Sequence, residues 1–213
     1  MIVAVDGPAA AGKGTVARAI ARHFGYHFLD TGSLYRMVGL AVLRGGNDPN
    51  DRAAAIAAAQ SLRPETFRDE DLRGEDIGNA ASIVAVIAEV RAALLDFQRK
   101  FAGKPPGAVL DGRDIGTVVC PDAEVKLYIT ASPEVRARRR MAELAERGDA
   151  VPYETVLAEI RARDERDRSR VTAPLVAAAD AAVIDTSAMG IEEAVAAAVA
   201  TVMKRRTPNP AKG

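Results

Sequence analysis

Short apolar runs alternate along the whole chain with longer stretches in which apolar residues recur every three or four positions. The runs "IVAVD" (2–6), "YHFLD" (26–30), "GAVLD" (107–111), "VKLYIT" (125–130) and "AAVID" (181–185) read as buried strands. Helical periodicity fills the intervals, which is the sign of an α/β fold with a parallel sheet. One helix starts in the glycine-rich stretch after the first strand and runs to about Phe24. A second, "TGSLYRMVGLAVLRGG", stops at Gly45 and Gly46, and a third covers "DPNDRAAAIAAAQSL". "IGNAASIVAVIAEVRAALLDFQRKFA" predicts one long helix, halted by Gly103 and the Pro105–Pro106 pair. "SPEVRARRRMAELAERG" is capped by Ser132 with Pro133 in its first turn, and after a "DAVP" break comes "YETVLAEIRARDERDRSR". "RPETFRDEDLRGED" is charged and poorly periodic, an exposed connection, and the tail "TPNPAKG" (207–213) reads as flexible. The expected architecture is a three-layer α/β/α fold around a five-stranded parallel sheet.

Composition narrows the function classes. At 213 residues the chain suits one domain with a substantial core. Lys and Arg number 29, Asp and Glu also 29, so no overall basic footprint points to nucleic acid. Arg outnumbers Lys, and Arg grips phosphate with two parallel hydrogen bonds, although GC-rich coding alone also favours it. Cys120 is the single cysteine, which excludes a disulfide framework and a thiolate metal cluster and fits a reducing compartment. Met1 leads into "IVAV" with no basic segment and no long apolar stretch, and "AVAAAVATVM" is too short to span a bilayer. A cytoplasmic protein with no membrane association is expected.

The chemistry begins at "GPAAAGKGT", residues 7 to 15. Gly7, Pro8, Ala9, Ala10, Ala11, Gly12, Lys13, Gly14 and Thr15 form a loop between a strand and a helix. Its backbone N–H groups can cradle phosphate at the positive end of the helix dipole. Lys13 would reach the β- and γ-phosphates of a nucleotide. Gly14 stands where a magnesium-binding hydroxyl is usual, and the hydroxyl comes one place later, on Thr15. This form of loop looks like that of the nucleoside monophosphate kinases, in which magnesium rests mainly on phosphate oxygens and water. Asp111, ending an apolar strand, is the expected acidic partner that holds magnesium through water. The chain lacks the N-K-x-D of GTPases, the L-S-G-G-Q of transport ATPases and the early D-x-D of shikimate kinases.

Three further stretches gather at the carboxyl edge of the sheet, where α/β proteins bind ligands. In "DTGSLYR" (30–36), Arg36 can hold an acceptor phosphate and Thr31 or Tyr35 can line its pocket; the rival reading is a capped helix with a surface arginine. In "VLDGRDIGT" (109–117), Arg113 and Asp114 either pair with each other or face a ligand, and their place beside the loop favours the ligand. In "RARDERDRSR" (161–170), Arg163, Asp167 and Arg170 fall at i, i+4 and i+7 on one helix face. Glu165 and Arg168 read as solvated. The run follows a candidate lid, "ERGDAVP", where a phosphoryl-transfer enzyme needs mobile cations, and "RARRR" (136–140) lies just before the same break. His23 and His27 read as structural, and an anionic phosphate acceptor needs no general base.

Taken in order, "DGPAAAGKGT", "LDTGSLYR", "NAAS" with "VRAALLDFQR", "DGRDIGTVVCPDA", "RDERDRSR", "APL" and "IDTS" resemble the bacterial cytidylate kinases over nearly the whole chain. The resemblance implies ATP with Mg2+ as donor, CMP or dCMP as acceptor, and a monomer. It implies Ser82, Arg91 and Asp114 around cytosine, and Arg163, Asp167 and Arg170 near the sugar and phosphate, with Arg36 and Arg113 toward the acceptor phosphate. Lys13, Asp111, Arg113, Arg163 and Arg170 would carry the catalysis. It also implies one P-loop kinase domain: a core of 1–30, 103–145 and 171–206, a monophosphate-binding region of about 31–102 and a lid of about 146–170. "LRPETFRDEDLRGED" stands for a longer insertion in that family. The rivals are a kinase for AMP, UMP or a small metabolite, and a nucleotide sensor without turnover.

Overall fold

The computed structural model describes residues 1–146 and 148–206, so the tail expected to be flexible lies outside the described residues. Strands β1 (Ile2–Asp6), β2 (His27–Asp30), β3 (Ala108–Gly112), β4 (Val125–Thr130) and β5 (Ala182–Asp185) form an all-parallel sheet in the order β2-β3-β1-β4-β5. β1 is central and covered on both faces, which is why its sequence is a continuous apolar run rather than an alternation. Val3 and Val5 pack with Val109, Leu127 and Ile129 against α1 (Lys13–Phe24) and α8 (Ile191–Arg206). Ala4, Leu110 and Ile115 form the opposite layer with Ala102 at the end of α5 (Ala88–Ala102). Among the described residues no helix is long and apolar enough to cross a membrane.

The region between β2 and β3 holds α2 (Thr31–Arg44), α3 (Arg52–Gln60), α4 (Glu75–Val84) and α5, with a core of its own. The single helix expected over 77–102 is two. α4 ends at Val84 and α5 starts at Ala88, with Ile87 in an extended conformation between them. The break falls in the β-branched run Ile83, Val84, Val86 and Ile87, which is stiff and weakly helical. It lets Val84, Ile87 and Val90 all enter one core. The connection 63–76 is not merely exposed: it contains 3-10 turns at Pro64–Thr66 and Asp69–Leu72, and Leu72 is buried.

On the other side of the sheet, α6 (Pro133–Glu146) and α7 (Tyr153–Ser169) pack together through Ala137, Leu144, Val156, Leu157 and Ile160. Parallel register sets the carboxyl ends of β2, β3 and β1 side by side: Asp30 opposite Asp111, and Asp6 opposite Gly112. The site is built on that edge.

Candidate active site

The loop from Gly7 to Gly12 is shaped by its glycines. A Cβ on Gly7, whose φ is +147°, would lie 1.9 Å from the Ile129 carbonyl oxygen, so no side chain fits. Gly12 is left-handed at φ 84° and precedes α1 without a capping side chain, and the first turn of α1 holds no acidic residue. The N–H groups and dipole of that helix are therefore not neutralised by the protein itself and suit an anion. Lys13 is buried; its Nζ donates to the Pro8 carbonyl at 3.0 Å and lies 3.8 Å from Asp111 Oδ1. Burial, then Arg113, pull its pKa down to about 8, with Asp111 and Asp30 opposing. A polyphosphate beside it would favour the charged form.

Gly14 explains why the usual hydroxyl is missing. A Cβ there would stand 3.3 Å from Asp111 Oδ2, so the glycine lets the carboxylate approach the loop. Burial raises the Asp111 pKa, Lys13 lowers it and Asp30 raises it further. A hard cation fits these donors, since Asp111 and Asp30 offer only oxygen. No group of three or more His, Cys, Asp or Glu that could hold a metal by itself occurs among the described residues, so a cation here would need donors besides these carboxylates.

Opposite the loop, the facing wall is built from four separate elements. Thr31, opening α2, donates its hydroxyl to the Asp111 carbonyl at 2.8 Å and so fastens α2 to β3. Arg36 reaches back to Asp30 at 3.4 Å. Tyr35 packs under the Arg91 guanidinium, 5.4 Å from ring centre to Cζ, and burial pushes its hydroxyl up to about 12. Arg113 and Asp114 do not pair with each other. Asp114 is ion-paired with Arg91 of α5, whereas Arg113 Nε donates to Asp167 Oδ2 of α7 at 3.1 Å. Asp167 also lies 3.7 Å from Arg170 Nη2. Burial alone would raise the Asp167 pKa, but Arg113, Arg170 and Arg163 together lower it. Arg163 is pulled down to about 10 by burial and then by Arg113. Its Nε, and Nη2 of Arg170, are buried without a hydrogen-bond partner among the described residues.

Both halves face one cavity of about 760 Å³, within the usual range for a small-molecule site. Its walls include Ala9, Ala10, Gly12, Lys13, Gly14 and Thr15 on one side. Across from them are Thr31, Tyr35, Arg36, Ser82, Arg91, Asp111, Arg113, Asp114, Arg163, Asp167 and Arg170. Gly7, Pro8 and Ala11 lie behind the loop, buried, and do not reach the cavity surface. Glu165 and Arg168 are exposed, as are His23 and His27, and none of the four lines the cavity.

Sequence reasoning passed over several residues. The first of the "RARRR" arginines is not a mobile cation: Arg136 is fully buried in a two-pronged pair with Asp164 of α7, at 2.9 and 2.6 Å. It also donates to the carbonyls of Ala131 and Ala9, tying α6 and α7 to the loop. Asp6, buried at the end of β1, accepts from the N–H groups of Ile115 and Gly116 at 2.8 and 2.7 Å. It thereby anchors the π-helical turn Ile115–Val119 that follows Asp114. An acid ending a central strand was the available signal for Asp6; Asp164 was hidden in a charge run. Asp69, Leu72, Arg73 and Gly74 of the shortened connection also line the cavity.

Comparison with known proteins matches this geometry. The family model described as cytidylate kinase covers residues 3–204. A cytidylate kinase of Xanthobacter autotrophicus is 58% identical over 206 residues, 97% of this chain and 99% of its own length. One from Rhodospirillum rubrum is 57% identical over 203 residues, 93% and 95% of the two chains. Among solved structures, an uncharacterized protein from Eubacterium ventriosum superposes with a TM-score of 0.56 at 15% identity, over 96% of each chain. TT1252 from Thermus thermophilus does so with 0.50 at 22%, over 98% of each. At such identities the structural likeness speaks for the fold alone, an all-parallel α/β sheet. The family match takes in the loop, the arginine wall and all of the sheet except Ile2, and the chain belongs to the cytidylate kinase family.

Proposed function

We propose that this chain transfers the γ-phosphoryl group of Mg-ATP to CMP or dCMP, giving ADP and CDP or dCDP, by direct in-line attack of the acceptor phosphate. The observation that carries the reading is a single cavity in which a helix N-terminus with Lys13 faces the half-buried Arg113 and Arg163 and the buried Arg170. Two polyanions brought together need this arrangement. An acceptor phosphate oxygen forms the new bond to the γ-phosphorus, and the β–γ bridging oxygen leaves on ADP with the bonding electrons. The acceptor oxygen is already anionic near neutral pH, so no base is required.

The loop amides and Lys13 hold the donor phosphates, and Arg113, Arg163 and Arg170 offset the charge that builds on the transferred group. Arg36, Thr31 and Tyr35 set the acceptor between the loop and α5, while Asp167 holds Arg113 and Arg170 in place and faces the sugar. Asp111, with Thr15 beside it, would hold magnesium largely through water. Magnesium, when bound, offsets charge on the β- and γ-phosphates. Asp114 can accept from the N4 amino group of cytosine and opposes the O4 carbonyl of uracil, while Arg91 and Ser82 serve the base's O2 and N3 edge. Closure of the segment 146–170 excludes water and prevents idle ATP hydrolysis.

The test is ADP release from Mg-ATP with CMP, dCMP, UMP and AMP supplied separately. Fast release with CMP and dCMP, slow with UMP and negligible with AMP is expected. Silence with all four despite ATP binding would overturn the reading in favour of a nucleotide sensor.

A further inference from the structure

One contact joins the two sides of the acceptor pocket from outside the cavity. Arg166, on α7, donates from Nε to Ser82 Oγ at 3.3 Å and from Nη2 to Asn79 Oδ1 at 3.2 Å, both acceptors lying on α4. Ser82 is buried and forms part of the cavity wall; Arg166 and Asn79 do not. The arginine therefore reaches the serine oxygen from behind. A serine hydroxyl offers one proton and two lone pairs, whereas arginine can only donate. The guanidinium charge thus turns the oxygen end of the O–H dipole toward itself and the proton end away, toward the cavity. Among the described residues no hydrogen bond takes that proton, so it is available to a ligand.

We propose that Arg166 is a positioning residue for base selection: it fixes the Ser82 hydroxyl as a donor into the pocket, matched to cytosine N3 or O2 and opposed to the N3–H of uracil. The proposal rests on the reading of CMP as the acceptor and adds a residue to its selectivity. Asp114 and the Ser82–Arg166 pair then read different atoms of the same base edge. Because Arg166 sits on the helix that also carries Arg163 and Asp167 and leads directly into Arg170, the base wall and the phosphate-binding cations keep a fixed spacing.

The experiment is steady-state kinetics of the full chain with CMP, UMP and ATP for wild type, Arg166→Ala, Arg166→Lys, Ser82→Ala and the double alanine variant. Losing one charge-assisted hydrogen bond is worth about a tenfold change. Arg166→Ala is expected to raise KM for CMP and to narrow the preference for CMP over UMP by that factor. KM for ATP and kcat should stay within about twofold. Arg166→Lys, which keeps a donor-only cation, should retain most of the preference. The double variant should discriminate no worse than Ser82→Ala alone, because the two residues act through one hydroxyl. A purely structural clamp between α4 and α7 would weaken CMP and UMP alike and add its effect to that of Ser82→Ala; either result overturns the proposal. A wild-type chain that ignores CMP fails the functional reading and this inference with it. A wild type that prefers CMP, beside an Arg166→Ala variant with undiminished preference, fails this inference alone.

Discussion

The loop side of the cavity is made of main chain, the facing side of side chains. Around the loop, shape comes from Gly7 and Gly12 and from unneutralised helix amides, with Lys13 and Arg18 of α1 also lining the cavity. Across the cavity, opposite charges form two groups, Arg91 with Asp114 and Arg113 and Arg170 with Asp167, drawn from α5, the turn after β3, and α7 with the residue that follows it. A main-chain site is preorganised by its fold and binds any polyphosphate of the right length. A side-chain network is selective, because each charge must exchange a protein partner for a ligand. On the proposed function, selectivity would therefore belong to the side-chain half.

Substitutions can break that contrast. The largest effect is expected for Lys13→Met, which should lower kcat about a thousandfold while circular dichroism shows an intact fold; a loss under tenfold would mean that the amides and arginines suffice. Asp114→Ala should come next, lowering kcat/KM for CMP about a hundredfold and that for UMP much less. Equal losses for the two acceptors would show that Asp114 only holds Arg91.

Asp6 tests the support beneath the network. Burial, against the Gly116 and Ile115 N–H groups, holds its carboxyl at about 7, where an ordinary aspartate has 3.8. Below the ordinary value both folded and unfolded chains keep this proton. Between the two values only the folded chain keeps it, so the stability the group contributes falls as pH rises and levels off above the folded value. Measured by urea unfolding, the wild-type minus Asp6→Asn difference should decline by at most about 1.4 kcal/mol per pH unit through that window. A difference flat with pH would mean that the two N–H groups keep the carboxylate ionised. The smallest effects belong to Glu165→Ala and Arg168→Ala on the exposed face of α7. Each should shift stability by less than about 0.5 kcal/mol and leave turnover within twofold; a larger loss of turnover would bring that face into the site.

How far sequence reached follows the same division. The loop is contiguous, so Gly7 through Thr15 stand in one quotation, and the five apolar runs locate the strands that carry it. Arg163 and Asp167 share a helix face as periodicity predicts, whereas α7 ends at Ser169 and Arg170 reaches the cavity from the residue after it. Pairing across elements is another matter. Arg113 and Asp114 are neighbours whose partners lie 54 and 23 residues away, and no local pattern says that they diverge. Arg136 looked like one basic residue among several until its buried partner, 28 residues on, became visible. The break between α4 and α5 was written in a β-branched run, but helical periodicity continues across it, and only the shared core shows why the axis must turn.

The buried Arg163 Nε, which has no hydrogen-bond partner among the described residues, has a consequence for the protein's life between turnovers. A buried donor without an acceptor is a standing penalty of the folded chain, which an anion bound on the proposed reading would relieve. Such a protein is more resistant to heat and proteases while it works than while it waits. Its survival, and not only its rate, is then coupled to the supply of the nucleotides it uses.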